Sequence, residues 1–421
     1  VRYLIALGLC LATMGLAACG GGGDDGGGGS EAKTLQPAAA ENASGKVTWC
    51  IGKDTSGAFK TAVDQFNEQN PKLEADLLEL PENADIQREQ QIQRLRAESS
   101  ECDVLGMDVI WTAEYAASGW LYDLTAAAEE REGDFIESTV ETTEYEGKKW
   151  ALPFNTNAGF LFYRTNEVPQ PPPAWEQVYG DAKADNGLVY QGERYEGLTV
   201  NFLELLYSAG GKVLSEDGET VEIDSPETRE VLEFMRKGIE DGAVTKAVTT
   251  YEEESSRRAF EAGNATFMRN WPYAYALGKE SNIGDEFEVA KFPGFGGNPG
   301  AGVVGGYNLG ISAFTDNPNG SLAFAEFLTT QPVQKEMFLK ATLPAVATAV
   351  YQDPEVQKEI PFTKELLKAV EQAQARPVSP VYTEISEAIF NNVFEVLQGR
   401  EEADGATSKM QSEIESALQR F

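Results

Sequence analysis

KVTWCI, from Lys46 to Ile51, is a short apolar, β-branched run of the kind that fills a buried strand. The polar turn KDTSG follows it, and from Ala58 to Gln69 apolar residues return at Phe59, Val63 and Phe66, the spacing of one helix face. Next come LEADLLEL, a long polar helix around Asp85 to Ser99, and CDVLGMDVIW from Cys102 to Trp111. Strand, helix, strand, helix, strand is the sequence form of an α/β layer built on a parallel sheet. Ligands of open α/β sheets collect at the carboxyl ends of the strands, so the residues just after Ile51 and Gly106 are the first candidates for binding.

Outward from this core, a second set of elements starts near ALPFNTNAGFLFYR, and Pro171 to Pro173 mark a rigid turn before a helix at Trp175 to Ala184. Helical patterns recur at Leu198 to Ser208, Glu227 to Ile239 and Glu252 to Glu261. NATFMRNWPYAYAL reads as a strand entering an aromatic loop and helix, and the glycine-rich FPGFGGNPGAGVVGGYNLGIS ends in another strand. Three amphipathic helices follow from Glu355, and there is no internal repeat.

The N-terminal side is different in kind. Arg2, an apolar stretch from Leu4 to Leu16, and then Ala17, Ala18 and Cys19 have the order of an export signal ending in a lipobox, with Cys19 as the lipid-bearing thiol. The alternatives are an ordinary secretory peptide or a short anchor helix with Cys19 incidental. From Gly20 the chain is nearly all glycine and stays small and polar to about Ser44, which predicts a flexible tether. No later segment reaches the ~18 consecutive apolar residues of a bilayer span.

The formal net charge is -34, from 68 acidic and 34 basic residues, a surface that repels nucleic acid. There is no histidine, which removes Ser-His-Asp and Cys-His catalysis and His-ligated zinc together. No metal and no cofactor is expected. Cys50 and Cys102 form an even pair that suggests a disulfide in an oxidising exterior. Against it, Cys50 ends one strand and Cys102 begins another, and opposite ends of neighbouring parallel strands exceed the ~7 Å limit on Cα separation.

Sugars are held by an aromatic face against the C–H side of the ring and by carboxylates, amides or Arg on its hydroxyls. Aromatics fall at suitable element ends at Trp111, Trp271, Tyr273, Tyr275 and Tyr307, with core packing as the competing reading for each. Asp108 follows an apolar strand, where a ligand contact and a helix N-cap are equally natural. Asn155 and Asn157 sit between the halves, where a hinge or turn also selects Asn. Arg376 precedes a proline in ARPVSP and suits a surface ion pair as well as a ligand. Gly305 to Tyr307 permits close backbone approach, as a plain turn would.

Taken together, CDVLGMDVIWTAEYAASGWLYDL, WALPFNTNAGFLFYR, VYQGERYEGLTVNFLELLYSAGG, FEAGNATFMRNWPYAYAL, GGYNLGIS and RPVSPVYTEISEAI resemble the trehalose/maltose-binding group of extracellular solute-binding proteins, the family-1 carbohydrate receptors of ABC importers. The likeness runs from about Lys46 to Arg420. It implies an α/β, two-lobed, periplasmic-binding-protein-like (type II) fold with hinge strands and a ligand cleft between the lobes. The division it implies is a signal at 1–18, a tether at 19–45, a first lobe of 46–152 with 294–342, and a second of 153–293 with 343–421. By the same resemblance Asp108 would hold hydroxyls, Trp271 and Tyr273 would stack and hydrogen-bond, Gly306 and Tyr307 would offer backbone donors and an aromatic wall, and Arg376 would clamp. Asn155 and Asn157 stand where relatives often carry Tyr and Asp, and Tyr307 where they often have Trp; Asp54 and Ser56 align poorly with the usual acidic contact. The implied protein is a monomeric, non-enzymatic receptor for a small oligosaccharide, serving the transmembrane subunits of an ABC transporter and held to the membrane only by lipid at Cys19. A secreted glycoside hydrolase with two carboxylates across the scissile bond, and a receptor for a cationic or peptide solute, are the rival readings.

Overall fold

The computed structural model describes residues 32–182, 187–215 and 218–420. The expected export signal and Cys19 lie outside the described residues. The first three strands form as β1 (Gly45–Gly52), β2 (Leu73–Leu80) and β3 (Val104–Asp108), linked by α1 (Ala58–Gln69) and α2 (Ala84–Arg96). The chain then forms the short hairpin of β4 (Glu144–Tyr145) and β5 (Lys148–Lys149), followed by β6 (Ala151–Asn157), β7 (Phe160–Arg164), β8 (Leu188–Val189), β9 (Phe267–Asn270), β10 (Phe287–Ala290) and β11 (Gly305–Ile311).

Two larger sheets result. The first has the order β2-β1-β3-β11-β6, with β1 parallel to β2 and β3 and with β11 antiparallel to β3 and β6. The second has the order β10-β7-β9-β8. Successive β1 side chains go to different cores: Val47, Trp49 and Ile51 to one, Cys50 to the other. Burial on both faces is why this strand reads as a continuous apolar run. On the first face Trp49 meets Phe59, Phe154 and Phe324 at ring separations of 5.0, 5.3 and 5.8 Å, the spacing of favourable tilted and edge contacts.

On the other face Cys50 is bonded to Cys102, with Cα atoms 5.6 Å apart. The objection from strand ends fails because the chain bends at Asp103, before β3 begins. The Asp103 amide donates to the Thr48 carbonyl at 3.0 Å, and its carboxylate accepts from the Thr48 amide at 2.7 Å. This tie to β1 brings Cys102 back alongside Cys50.

The chain passes between the sheets three times. β6 ends at Asn157 and β7 begins at Phe160, so the first crossing is Ala158–Gly159. The division expected between 152 and 153 therefore falls inside β6, which its pairing with β11 keeps in the first sheet. The second crossing is the stretch 291–304. The third follows helix Gln331–Ala341: the Thr156 amide donates to the Pro344 carbonyl at 3.1 Å, and Ala345 and Ala347 already belong to the core of the second sheet. Four helices complete that core rather than the expected three: Pro354–Glu359, Thr363–Gln372, Tyr382–Leu397 and Ala403–Arg420.

Residues 32–44, expected to be the end of a flexible tether, rest on the first core instead. Leu35 is buried, its amide donates to the Asp123 carbonyl at 3.0 Å, and the Asp123 amide donates to the Lys33 carbonyl at 2.9 Å. Ala40 and Ala43 pack on the same core, and Asn317 Nδ2 donates to the Ser44 carbonyl at 3.0 Å. Among the described residues, no helix is long and apolar enough to cross a membrane.

A protein starting at Ala32 should show no free thiol when denatured without reductant and two after reduction, by thiol titration. Closing a loop with a sequence separation of 52 predicts that reduction lowers the unfolding free energy by about 2–4 kcal/mol, readable by urea titration.

Candidate functional site

A cleft with about 1180 Å³ of empty space, part of it open to solvent, lies where the strand ends of the two sheets face each other. The loop after β1, the end of β3 and the residues after β9 all open into it, the place that open α/β sheets reserve for ligands. The ten residues discussed with the family resemblance all line this one cavity. Trp111 and Tyr275 do not: Trp111, 2% exposed, stacks on Tyr115, and Tyr275, 8% exposed, packs on Phe287 and Phe362. For these two the core-packing reading is the correct one.

Trp271 emerges from β9 and is held just before Pro272. Its ring lies on the Arg269 guanidinium, 4.0 Å from ring centre to Cζ. Its indole N–H faces Glu253 Oε1 at 3.5 Å, and the Tyr195 hydroxyl donates to Glu253 Oε2 at 2.7 Å. Burial pushes the Glu253 carboxyl up from its ordinary range, against the Tyr195 hydrogen bond. The Tyr273 hydroxyl donates to Glu254 Oε1 at 2.9 Å. Burial works against the charge on Glu254, yet the Arg257 guanidinium beside it holds it below the usual carboxylate range. The wall is thus one flat aromatic face edged by carboxylates that accept hydrogen bonds, a surface made for C–H and O–H groups presented together.

The second core also brings a buried cation to the cavity. Arg376, 5% exposed, donates from Nη2 to Asp108 Oδ1 at 2.6 Å and from Nη1 to Glu196 Oε1 at 2.8 Å. The Tyr382 hydroxyl at 2.7 Å and the Ser386 hydroxyl also donate to Glu196. Burial raises the Glu196 carboxyl, with Arg376 opposing. Asp108 caps the turn Val109–Trp111 by accepting the Ile110 amide at 3.2 Å, and it also lines the cavity. It comes from the first sheet, whereas Arg376 precedes a helix of the second core, so their bond spans the cleft. Two more contacts span it: Asn83 Nδ2 to Glu252 Oε1 at 2.7 Å, and the Glu196 amide to Asp85 Oδ2 at 3.3 Å. The jaws are therefore in contact in this structure.

Several candidates serve the wall's shape. Asp54 spends its carboxylate on the turn it sits in, accepting the Ser56 amide at 2.8 Å, the Ser56 hydroxyl at 2.5 Å and the Phe59 amide at 2.9 Å. Gly306 has φ +119°, and a Cβ there would stand 2.2 Å from the Asn155 carbonyl oxygen, so only glycine fits. The Tyr307 amide, expected to face a ligand, is already bonded to Asn155 Oδ1 at 2.9 Å. Asn155 is buried beside the register shift between β6 and β11 at Tyr307/Asn308, while Asn157 lines the cavity at the hinge.

Sequence reasoning passed over Tyr195, Glu196, Glu252 and Glu253, which line the cavity from the first turns of two helices. Acidic residues there are ordinary dipole partners. The signal that could have found them is position, since each helix start follows a strand of the second sheet or packs beside one.

Residues 52–335 match the family model of bacterial extracellular solute-binding proteins. A probable ABC transporter-binding protein of Deinococcus radiodurans is 32% identical over 362 residues, covering 80% of this chain and 85% of that protein. Among solved structures, maltose-bound MalE3 of T. maritima has a TM-score of 0.84 at 34% identity, over 88% of this chain and 99% of that one. The GacH receptor of Streptomyces glaucescens GLA.O, solved unliganded and with acarbose and an acarbose homologue, has a TM-score of 0.82 at 22% identity over 90% and 100%, and shares the fold.

Asp85 gives the site a pH dependence. Burial, then the neighbouring Glu196 and Glu387, push its carboxyl up to about 7, with Arg88 opposing. A carboxyl raised in the folded state stabilises it below the unfolded value, and that contribution is lost as pH rises through about 7. Between pH 4.5 and 7.5, Asp85→Asn should gain stability relative to the parent as pH rises, measured as the difference in thermal midpoints. A difference that does not change with pH would count against this environment for Asp85.

Proposed function

This chain belongs to the bacterial extracellular solute-binding protein family, and on that premise we propose that it captures a small neutral oligosaccharide of trehalose or maltose type by hinge closure and presents it to the transmembrane subunits of an ABC importer. The observation that carries this reading is Trp271, a single fixed aromatic face with the Glu253 carboxylate at its edge, on the wall of a cavity between two hinged cores. Maltose in the structure of a 34% identical protein supports the same ligand class.

Closure needs no special device beyond differential contact. A sugar touching both walls stabilises the state in which they approach, because it makes contacts there that the open state lacks. Asp108 and Tyr307 on one wall, and Trp271, Tyr273 and Arg376 on the other, are the residues we assign to the ligand. Asn155 and Gly306 shape the hinge beside it, Asn157 lies at the crossing, and Asp54 with Ser56 closes one end of the cavity. The chain is a binding protein and not an enzyme, as its relatives are. Lipid attachment at Cys19, a monomeric state, and lobes of 45–157 with 305–341 and 160–290 with 345–420 complete the proposal.

A thermal-shift screen against trehalose, maltose, sucrose, monosaccharides, amino acids and polyamines tests it, since a ligand of the folded state raises the midpoint by mass action. One or more disaccharides should raise it. Trp271→Ala and Asp108→Ala should each weaken that binding at least tenfold, about 1.4 kcal/mol, by calorimetry. A shift with polyamines or amino acids and none with any sugar would end the carbohydrate assignment.

A further inference from the structure

Behind the cleft wall, outside the residues that line the cavity, Arg269 is 1% exposed. Its guanidinium covers one face of Trp271 and is not free to turn. Nε and Nη2 donate to the two oxygens of Glu204 at 2.7 and 2.6 Å, and Nη1 donates to Gln191 Oε1 at 3.0 Å. Glu204, on helix Glu196–Ala209, is fully buried.

Backbone closes around this pair. A Cβ on Gly159 would stand 2.1 Å from Glu204 Oε1 and 2.9 Å from Arg269 Nη2, and the Val303 amide also bonds Glu204. Gly159 and Val303 lie on the first and second crossings between the sheets. A Cβ on Gly305 would stand 3.0 Å from the indole, so the strand after the second crossing borders the ring as well. One face of Trp271 is covered by charge and its edges are fenced by Gly305 and Glu253. What is left turns to the cavity.

A buried ion pair is seldom kept for stability, since apolar side chains of similar volume serve as well or better. What a bidentate guanidinium supplies is orientation. The structure assigns to Arg269 the role of a positioning residue: anchored by Glu204 at the crossing strands, it fixes Trp271 in the orientation that presents a flat face to the ligand. This rests on the carbohydrate reading above. Ring order is then already in place before binding, so less of the stacking energy is spent on ordering the side chain. The carboxylate that anchors the ring's support also touches both crossings, which ties the ring's orientation to the hinge.

The test uses the full chain, with maltose and trehalose as probes in calorimetry and 5-fluorotryptophan for ¹⁹F NMR. Arg269→Lys should weaken the tighter-binding disaccharide at least tenfold in the parent. In the Trp271→Ala background the same change should weaken it less than threefold, because the route through the ring is gone. An equal loss in both backgrounds overturns the proposal and leaves Arg269 a purely structural residue. Independently of any sugar, the Trp271 resonance, assigned by its loss in Trp271→Phe, should shift or broaden in Arg269→Lys and in the milder Glu204→Gln. An unchanged resonance also overturns the proposal. If no sugar binds the parent while the resonance moves, the positioning role stands and only the carbohydrate reading falls.

Discussion

Arg376 brings one positive charge to a seam where Asp108 and Glu196 approach from opposite cores. Without it, two carboxylates would face each other in a place largely closed to water. Removing one member of such a buried arrangement costs about 3–5 kcal/mol, chiefly because the remaining charge is stranded. The other cross-cleft contacts lie along the same seam: the Glu196 backbone amide meets Asp85, and Glu252 meets Asn83. Of these contacts, this guanidinium is the one that joins carboxylates of both walls.

The charge pattern around it bears on the ligand. Glu254 is matched by Arg257 and Arg258, and Lys53 by Glu82. Glu253 is met directly by hydroxyl and indole donors, with the Arg269 charge acting on it from beyond the ring. A carboxylate in that setting has acceptor capacity left for ligand donors, and hydroxyl groups beside an aromatic face meet that need without importing an opposing charge. The chain's acidity, which from composition alone excludes polyanionic partners, thus has a local counterpart in the cavity wall.

Much of the fold was legible in the sequence because the first sheet obeys simple rules. The β1 run is apolar on both faces, α1 repeats its apolar residues at helical spacing, and the crossover pattern leaves little choice of topology. What was not legible depended on local backbone shape. The bend at Asp103 that brings Cys102 to Cys50 has no glycine or proline to announce it. The change of sheet at Ala158–Gly159 lies just past Asn155 and Asn157, which the sequence placed between the halves, but its exact residues do not show in the pattern. In the site, Trp271 and Asp108 could be picked out because they end strands. Trp111 could not be told from them, since one turn of backbone decides whether an aromatic after β3 faces the cleft or Tyr115. The Tyr307 amide was misread for a related reason: its partner, Asn155, is distant in sequence and adjacent only across a sheet.

The three crossings also govern the order in which this molecule can be built. β3 is complete at Asp108, but its neighbour β11 begins at Gly305, nearly two hundred residues later. Phe324, which closes the aromatic cluster around Trp49, comes later still. A chain delivered from its N-terminus therefore holds an unfinished first sheet, with one edge of β3 unpaired, while almost the whole second sheet is made. Contacts so distant in sequence are slow to form, because the loop must close before the pairing rewards it. The first sheet can therefore be completed only when most of the polypeptide is present.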